Sequence, residues 1–120
     1  MRIFLVPLIA YALAPVDQPA EPSEGAMRLA FETTLQAQVQ GVLQFIEETA
    51  GPDAVARVRQ AGTDRFEVRT FKKHECVRDE AGYACDFSVD VSVVNGMIGR
   101  TVKGHFMPGP DHGLTFIQDI

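Results

Sequence analysis

The apolar positions of the chain follow two different rhythms, and the change falls at Gly62. From Met27, apolar residues recur three or four apart through Phe31, Leu35, Val39, Val42, Ile46 and Ala50, while Gln36, Gln40, Gln44 and Glu47 fall on the opposite side. That spacing is one face of an α-helix. Ser23 is an N-cap, Glu24 places a carboxylate at the positive end of the helix dipole, and Gly51-Pro52 stops the run. Gly41 is a weak point where a bend is expected. Pro52 also suits the first position of a second, shorter helix over 53–60, closed by Gly62.

Beyond Gly62 the period is two. Tyr83, Cys85, Phe87, Val89, Val91 and Val93 alternate with Ala84, Asp86, Ser88, Asp90, Ser92 and Val94, the pattern of a half-buried strand. Asn95-Gly96 supplies a type I′ hairpin turn. Pairing across it sets Ile98, Val102 and Phe106 opposite Val93, Val89 and Cys85, with Gly104 facing Phe87. A preceding strand is expected from about Phe66 to Val77, and a last one from Leu114 to Gln118. Helices followed by strands predict an α+β fold: one long amphipathic helix plus a short helix packed on a four-stranded antiparallel meander sheet.

This order resembles the cystatin-like and NTF2-like group of small α+β domains. The stretches Phe71-Lys72-Lys73-His74-Glu75-Cys76 and Gly82-Tyr83-Ala84-Cys85-Asp86-Phe87 are similar to small exported bacterial proteins of unknown function in that group. The resemblance covers about residues 24–118 and is architectural. The Gln-Val-x-Ala-Gly hairpin of true cystatins is missing, since Val39-Gln40-Gly41 lies in the helix, so protease inhibition is not implied.

The N-terminus points to export. Met1-Arg2 precedes an apolar run from Ile3 to Ala14, too short for a bilayer core of roughly 30 Å and interrupted by Pro7. It fits a signal peptide over 1–14, with cleavage after Ala12 or Ala14. No cysteine lies nearby to accept a lipid. Residues 15–23 hold three prolines and almost no large apolar side chain, the composition of a flexible leader. A single domain over 24–120 follows, periplasmic or secreted, with no membrane span after signal cleavage. The formal charge of −5 argues against a nucleic-acid partner.

Cys76 and Cys85 are the whole thiol inventory. A two-residue loop at Glu80-Ala81 sets them opposite each other, and in an exported chain that pair reads as a disulfide. Carried back along the strand, the same register points Lys72 and His74 at the apolar face, opposite Val89 and Phe87. Either a bulge near Thr70 brings Phe71 inward instead, or Lys72 and His74 line a concave pocket. In such a pocket His74 is the candidate acid–base group, and Arg100, near Val91 on the inner face, could hold an anion. His105, Asp111 and His112 are too scattered for a metal site, and no cofactor is expected. Nucleotide-loop, zinc-protease and serine-hydrolase motifs are absent from the sequence. The leading expectation is a non-catalytic envelope module that binds a protein, peptide or small ligand through its curved sheet or a strand edge. The alternatives are a pocket enzyme using His74 with Lys72 or Arg100, and a structural envelope protein.

Overall fold

A computed structural model of the chain describes residues 20–109 and 113–119. The signal peptide expected over 1–14, the leader up to residue 19, Asp111 and His112 lie outside the described residues. Helix α1 runs Glu24–Ala50 without interruption through Gly41, and the Ser23 side chain accepts from the Ala26 N–H at 3.1 Å. Gly51, at φ +89°, ends it in backbone space that favours glycine. Helix α2 follows directly over Pro52–Ala61 and closes on Gly62 in the left-handed conformation.

Four strands make one antiparallel sheet in chain order: β1 Phe66–Arg78, β2 Tyr83–Val93, β3 Gly96–Pro108 and β4 Leu114–Gln118. The architecture is the expected α+β fold. The inner face of the sheet and the first half of α1 enclose a phenylalanine cluster. Phe87 is fully buried at its centre, with ring centroids 4.6 Å from Phe71, 5.3 Å from Phe31, 5.7 Å from Phe116 and 5.9 Å from Phe106. Met27, Val68, Val89 and Val102 complete the packing.

Two register expectations need correction. The β2–β3 loop is Val94-Asn95, not Asn95-Gly96, so Val93 pairs with Gly96, Val89 with Arg100, Phe87 with Val102 and Cys85 with Gly104. The pairing is two residues away from the one expected. A two-residue shift leaves every side chain on its original face, so alternation cannot distinguish the two registers. Gly104 therefore makes room for the Phe116 ring rather than for Phe87; a Cβ there would also come within 2.6 Å of the Ile117 carbonyl oxygen.

The second concerns β1: of the two alternatives the bulge is the one present, with irregularities between Val68 and Thr70, as expected near Thr70, and also between Lys73 and Cys76, which was not expected. Cys76 does face Cys85, and the two form a disulfide. The extra residue next to it reverses the alternation. Phe71 is thereby buried against Val89, while Lys72 turns outward opposite Ser88. The Arg28 guanidinium, on α1, donates to the Val68 carbonyl at 2.5 Å, beside the other bulge.

Residues 20–23, the end of the expected leader, are tied to the domain. Pro22 is buried, and Lys73 Nζ donates to its carbonyl at 2.8 Å and pairs with Glu21. Glu24 accepts from the Lys73 backbone N–H at 2.9 Å, which fixes the start of α1 against β1.

Candidate functional site

The apolar stripe of α1 is buried only over its first half. Met27, Ala30 and Phe31 are in the core, but farther along only Leu43 is buried, and Val42 is 57% exposed. The second half of the helix stands clear of the sheet, and α2 leaves the end of α1 without closing the gap. The result is an open cleft of about 610 Å³. Leu35, Val39, Val42 and Ile46 form the helical wall, with Val58 from α2. Val89, Val91, Val93, Ile98 and Val102 form the sheet wall. The helical stripe is thus half core and half ligand-sized cavity, a division that its period cannot reveal.

Few polar groups reach this surface. Arg100 rises from β3 on the inner face and has no hydrogen bond or ion pair with any other of the described residues. Thr63, Asp64 and Arg65 approach from the turn that joins α2 to β1. The Asp64 side chain is 13% exposed, and its Oδ2 lies 3.9 Å from Arg59 Nη1. Its Oδ1 is buried without a hydrogen-bond partner among the described residues. Arg65 is turned aside, donating to the Arg59 carbonyl at 3.3 Å.

The pocket expected from Lys72, His74 and Arg100 does not assemble. Arg100 lines the cleft, but the bulge after Lys73 puts Lys72 and His74 on the outer face, where both are exposed. There His74 Nε2 lies 2.5 Å from Ser88 Oγ, which is itself 3.5 Å from Thr101 Oγ1. A histidine beside a serine can activate a nucleophile when a third group orients the ring and a cavity holds the substrate. Neither His74 nor Ser88 lines the cleft or the three smaller cavities beside Tyr83, Val94 and Gln36.

His105 also faces outward and serves as a clasp. Its Nδ1 lies 2.7 Å from Asp79 Oδ2 and its Nε2 lies 3.1 Å from Asp119 Oδ1. Both contacts are hydrogen bonds at once only when the ring carries both protons. The clasp joins the β1–β2 turn to the end of β4 through β3. Among the described residues no group of three His, Cys, Asp or Glu side chains is placed to hold a metal ion. Asp79 Oδ1 accepts from the Gly82 N–H at 2.8 Å and the Ala81 N–H at 3.1 Å. The Gly82 bond, then the His105 contact, hold the Asp79 carboxyl below its ordinary value of 3.8. A carboxyl lowered in the folded state stabilises the fold above the unfolded value and loses that contribution as pH falls through the native one. The difference in melting temperature between the native chain and Asp79→Asn should therefore be fully present at about pH 5 and close below 3.8. A pH-independent difference would contradict this role.

The fold and its cleft define a class: a small α+β domain in which a helix lifted from an antiparallel sheet leaves an open apolar cavity. Compared with known proteins, the chain matches no family, no curated protein and no solved structure.

Proposed function

We propose that this is a non-catalytic binding module that takes one small, largely apolar ligand in the cleft between the second half of α1 and the inner face of the sheet. The observation that carries the reading is the cleft itself. Its volume of about 610 Å³ falls in the range of small-molecule sites, and its walls are valine, leucine and isoleucine with a few polar groups, the composition such sites share. A monomer that leaves so much aliphatic surface open incurs a solvation cost that a ligand removes. The Cys76–Cys85 disulfide supports an exported location, periplasmic or secreted, as does the short apolar run of the sequence at 3–14. No helix among the described residues is long and apolar enough to cross a membrane. The helix-then-meander order supports the resemblance to the cystatin-like and NTF2-like group.

A neutral apolar fluorophore such as N-phenyl-naphthylamine should bind saturably with a stoichiometry of one. Val91→Trp, which fills the cleft from the sheet side, should abolish that binding, and Phe45→Ser, on an exposed part of α1 that does not line the cleft, should leave it unchanged. Absence of saturable binding, or equal binding by Val91→Trp, would overturn the reading. A second reading follows from the sheet edge: among the described residues β4 pairs with β3 from Gly104 onward and the Asp119 N–H donates to the Lys103 carbonyl at 3.0 Å, so the edge of Gly96–Val102 is open to an added strand. Peptide capture there would survive Val91→Trp and fail with proline at an edge position of β3, which separates the two sites.

A further inference from the structure

Residues 20–23 show how the leader approaches the domain. Lys73 holds them at two points, donating from Nζ to the Pro22 carbonyl and pairing with Glu21, while Glu24 accepts from the Lys73 backbone N–H. Pro22 is buried, and Ala20, the first described residue, lies on the lining of a second groove. This groove, of about 440 Å³, runs beside the first turns of α1, at the end of the sheet away from the β2–β3 loop. Ala26, Leu29 and Thr33 form its helical side, and Tyr83, Phe106 and Leu114 its sheet side. It shares no lining residue with the cleft. Leu29 is 65% exposed, and Tyr83 and Leu114 are half-buried, so an apolar wall stands open beside the entering chain.

The sequence that precedes Ala20 has the spacing such a groove accepts. Val16, Pro19 and Pro22 are three apart, and Asp17, Gln18 and Glu21 fall between them. A polyproline II helix has three residues per turn, so this spacing lines the three up along one edge and turns the polar residues to the others. Proline already holds φ near the value this helix needs, so the segment loses little freedom on docking. Proline-rich segments of this kind dock in grooves lined by aromatic side chains. One turn rises about 9 Å, and the helical side of the groove from Ala26 to Thr33 covers about 10 Å. With Pro22 buried beside the start of α1, Pro19, the next residue on the same edge, reaches the far end of the groove.

We infer that residues 15–19 dock in this groove as a polyproline II strap, with Pro19 against Leu29, Tyr83 and Leu114 and Val16 beyond it on the same edge. The occupant is the chain's own leader, and its docking does not depend on the cleft being a ligand site. The strap covers Leu29 and extends the hold that Lys73 has on the start of α1.

The test compares the isotopically labelled full chain with two variants, Pro19→Asp on the apolar edge and Gln18→Asp on a polar one. In the native chain, nuclear Overhauser contacts should connect the Pro19 ring protons with the Leu29 methyls and the Tyr83 ring. Pro19→Asp should remove them, shift the Leu29 and Leu114 methyl resonances, and lower the melting temperature by about 4 °C. Gln18→Asp, which adds the same charge, should keep both the contacts and the melting temperature. Both variants should bind N-phenyl-naphthylamine as the native chain does. Absence of contacts between residues 15–19 and the groove, or equal responses to the two substitutions, would overturn the inference. Contacts seen only between differently labelled copies would put a second molecule's leader in the groove, and fluorophore binding altered by Pro19→Asp would put the leader in the cleft; either result also overturns it.

Discussion

Phe87→Ala should lower the free energy of unfolding by about 3–5 kcal/mol, the range for removing a large aromatic side chain from a core. The side chain is fully buried, and four phenylalanine rings surround it at centroid distances of 4.6–5.9 Å. Those four come from α1, β1, β3 and β4, so truncation leaves a void that touches every layer of the fold. No neighbour fills it by a simple rotamer change, because each ring is already packed against at least one other member of the cluster. Against a total stability of about 5–15 kcal/mol, the loss is a large fraction. Urea denaturation followed by circular dichroism reads it as a lower midpoint at unchanged slope. The cleft should suffer too, since this cluster holds the closed end of the wedge whose open end binds the ligand. A loss below about 1 kcal/mol would show that the cluster is not the hinge of the helix-on-sheet packing.

Removal of the Cys76–Cys85 bond should cost about 2–3 kcal/mol, the chain-entropy value for so short a loop. Cys85 is buried on the inner face, and the bond fixes the one point where β1 and β2 resume pairing after the bulge. Without it, β1 is free to slip by one residue, a movement that turns His74 inward and Phe71 outward. That slipped state is disfavoured because it buries an imidazole and exposes a phenyl ring, but the barrier protecting the register is lower. A Cys76→Ser/Cys85→Ser chain should show the drop in thermal unfolding, with faster amide exchange over Val77–Tyr83 than over Val89–Val93. Equal protection of both segments would show that the Asp79 turn and the His105 clasp hold the register unaided.

The sequence made some of this legible, for physical reasons that differ by element. Helix α1 could be read end to end because Ser23, Glu24, Gly51 and Pro52 act locally, within one turn of the backbone they cap. The disulfide was legible because two cysteines and a short turn leave one pairing. The β2–β3 register was not, since a slip of two keeps every apolar residue on its face. A bulge near Thr70 could be weighed from the sequence, but the one after Lys73 was hidden because Lys72-Lys73-His74-Glu75 is polar throughout and carries no alternation to interrupt. That single missed residue moved His74 and Lys72 to the outer face and left Arg100 as the one expected pocket residue on the cleft. Asp64 could not have been found from sequence at all: an acidic residue after Gly62-Thr63 looks like ordinary turn chemistry, and its burial depends on how α2 meets β1.

The central claim is that the cleft holds an apolar ligand, and the most direct measurement is a titration of isotopically labelled protein with N-phenyl-naphthylamine, followed by methyl and backbone NMR. Saturable shifts should concentrate on Leu35, Val39, Val42, Val91 and Ile98, with Ser88, Thr101 and His74 on the outer face unmoved. Shifts confined to the outer face or to the free edge of β3, or none at saturating fluorophore, would contradict the claim.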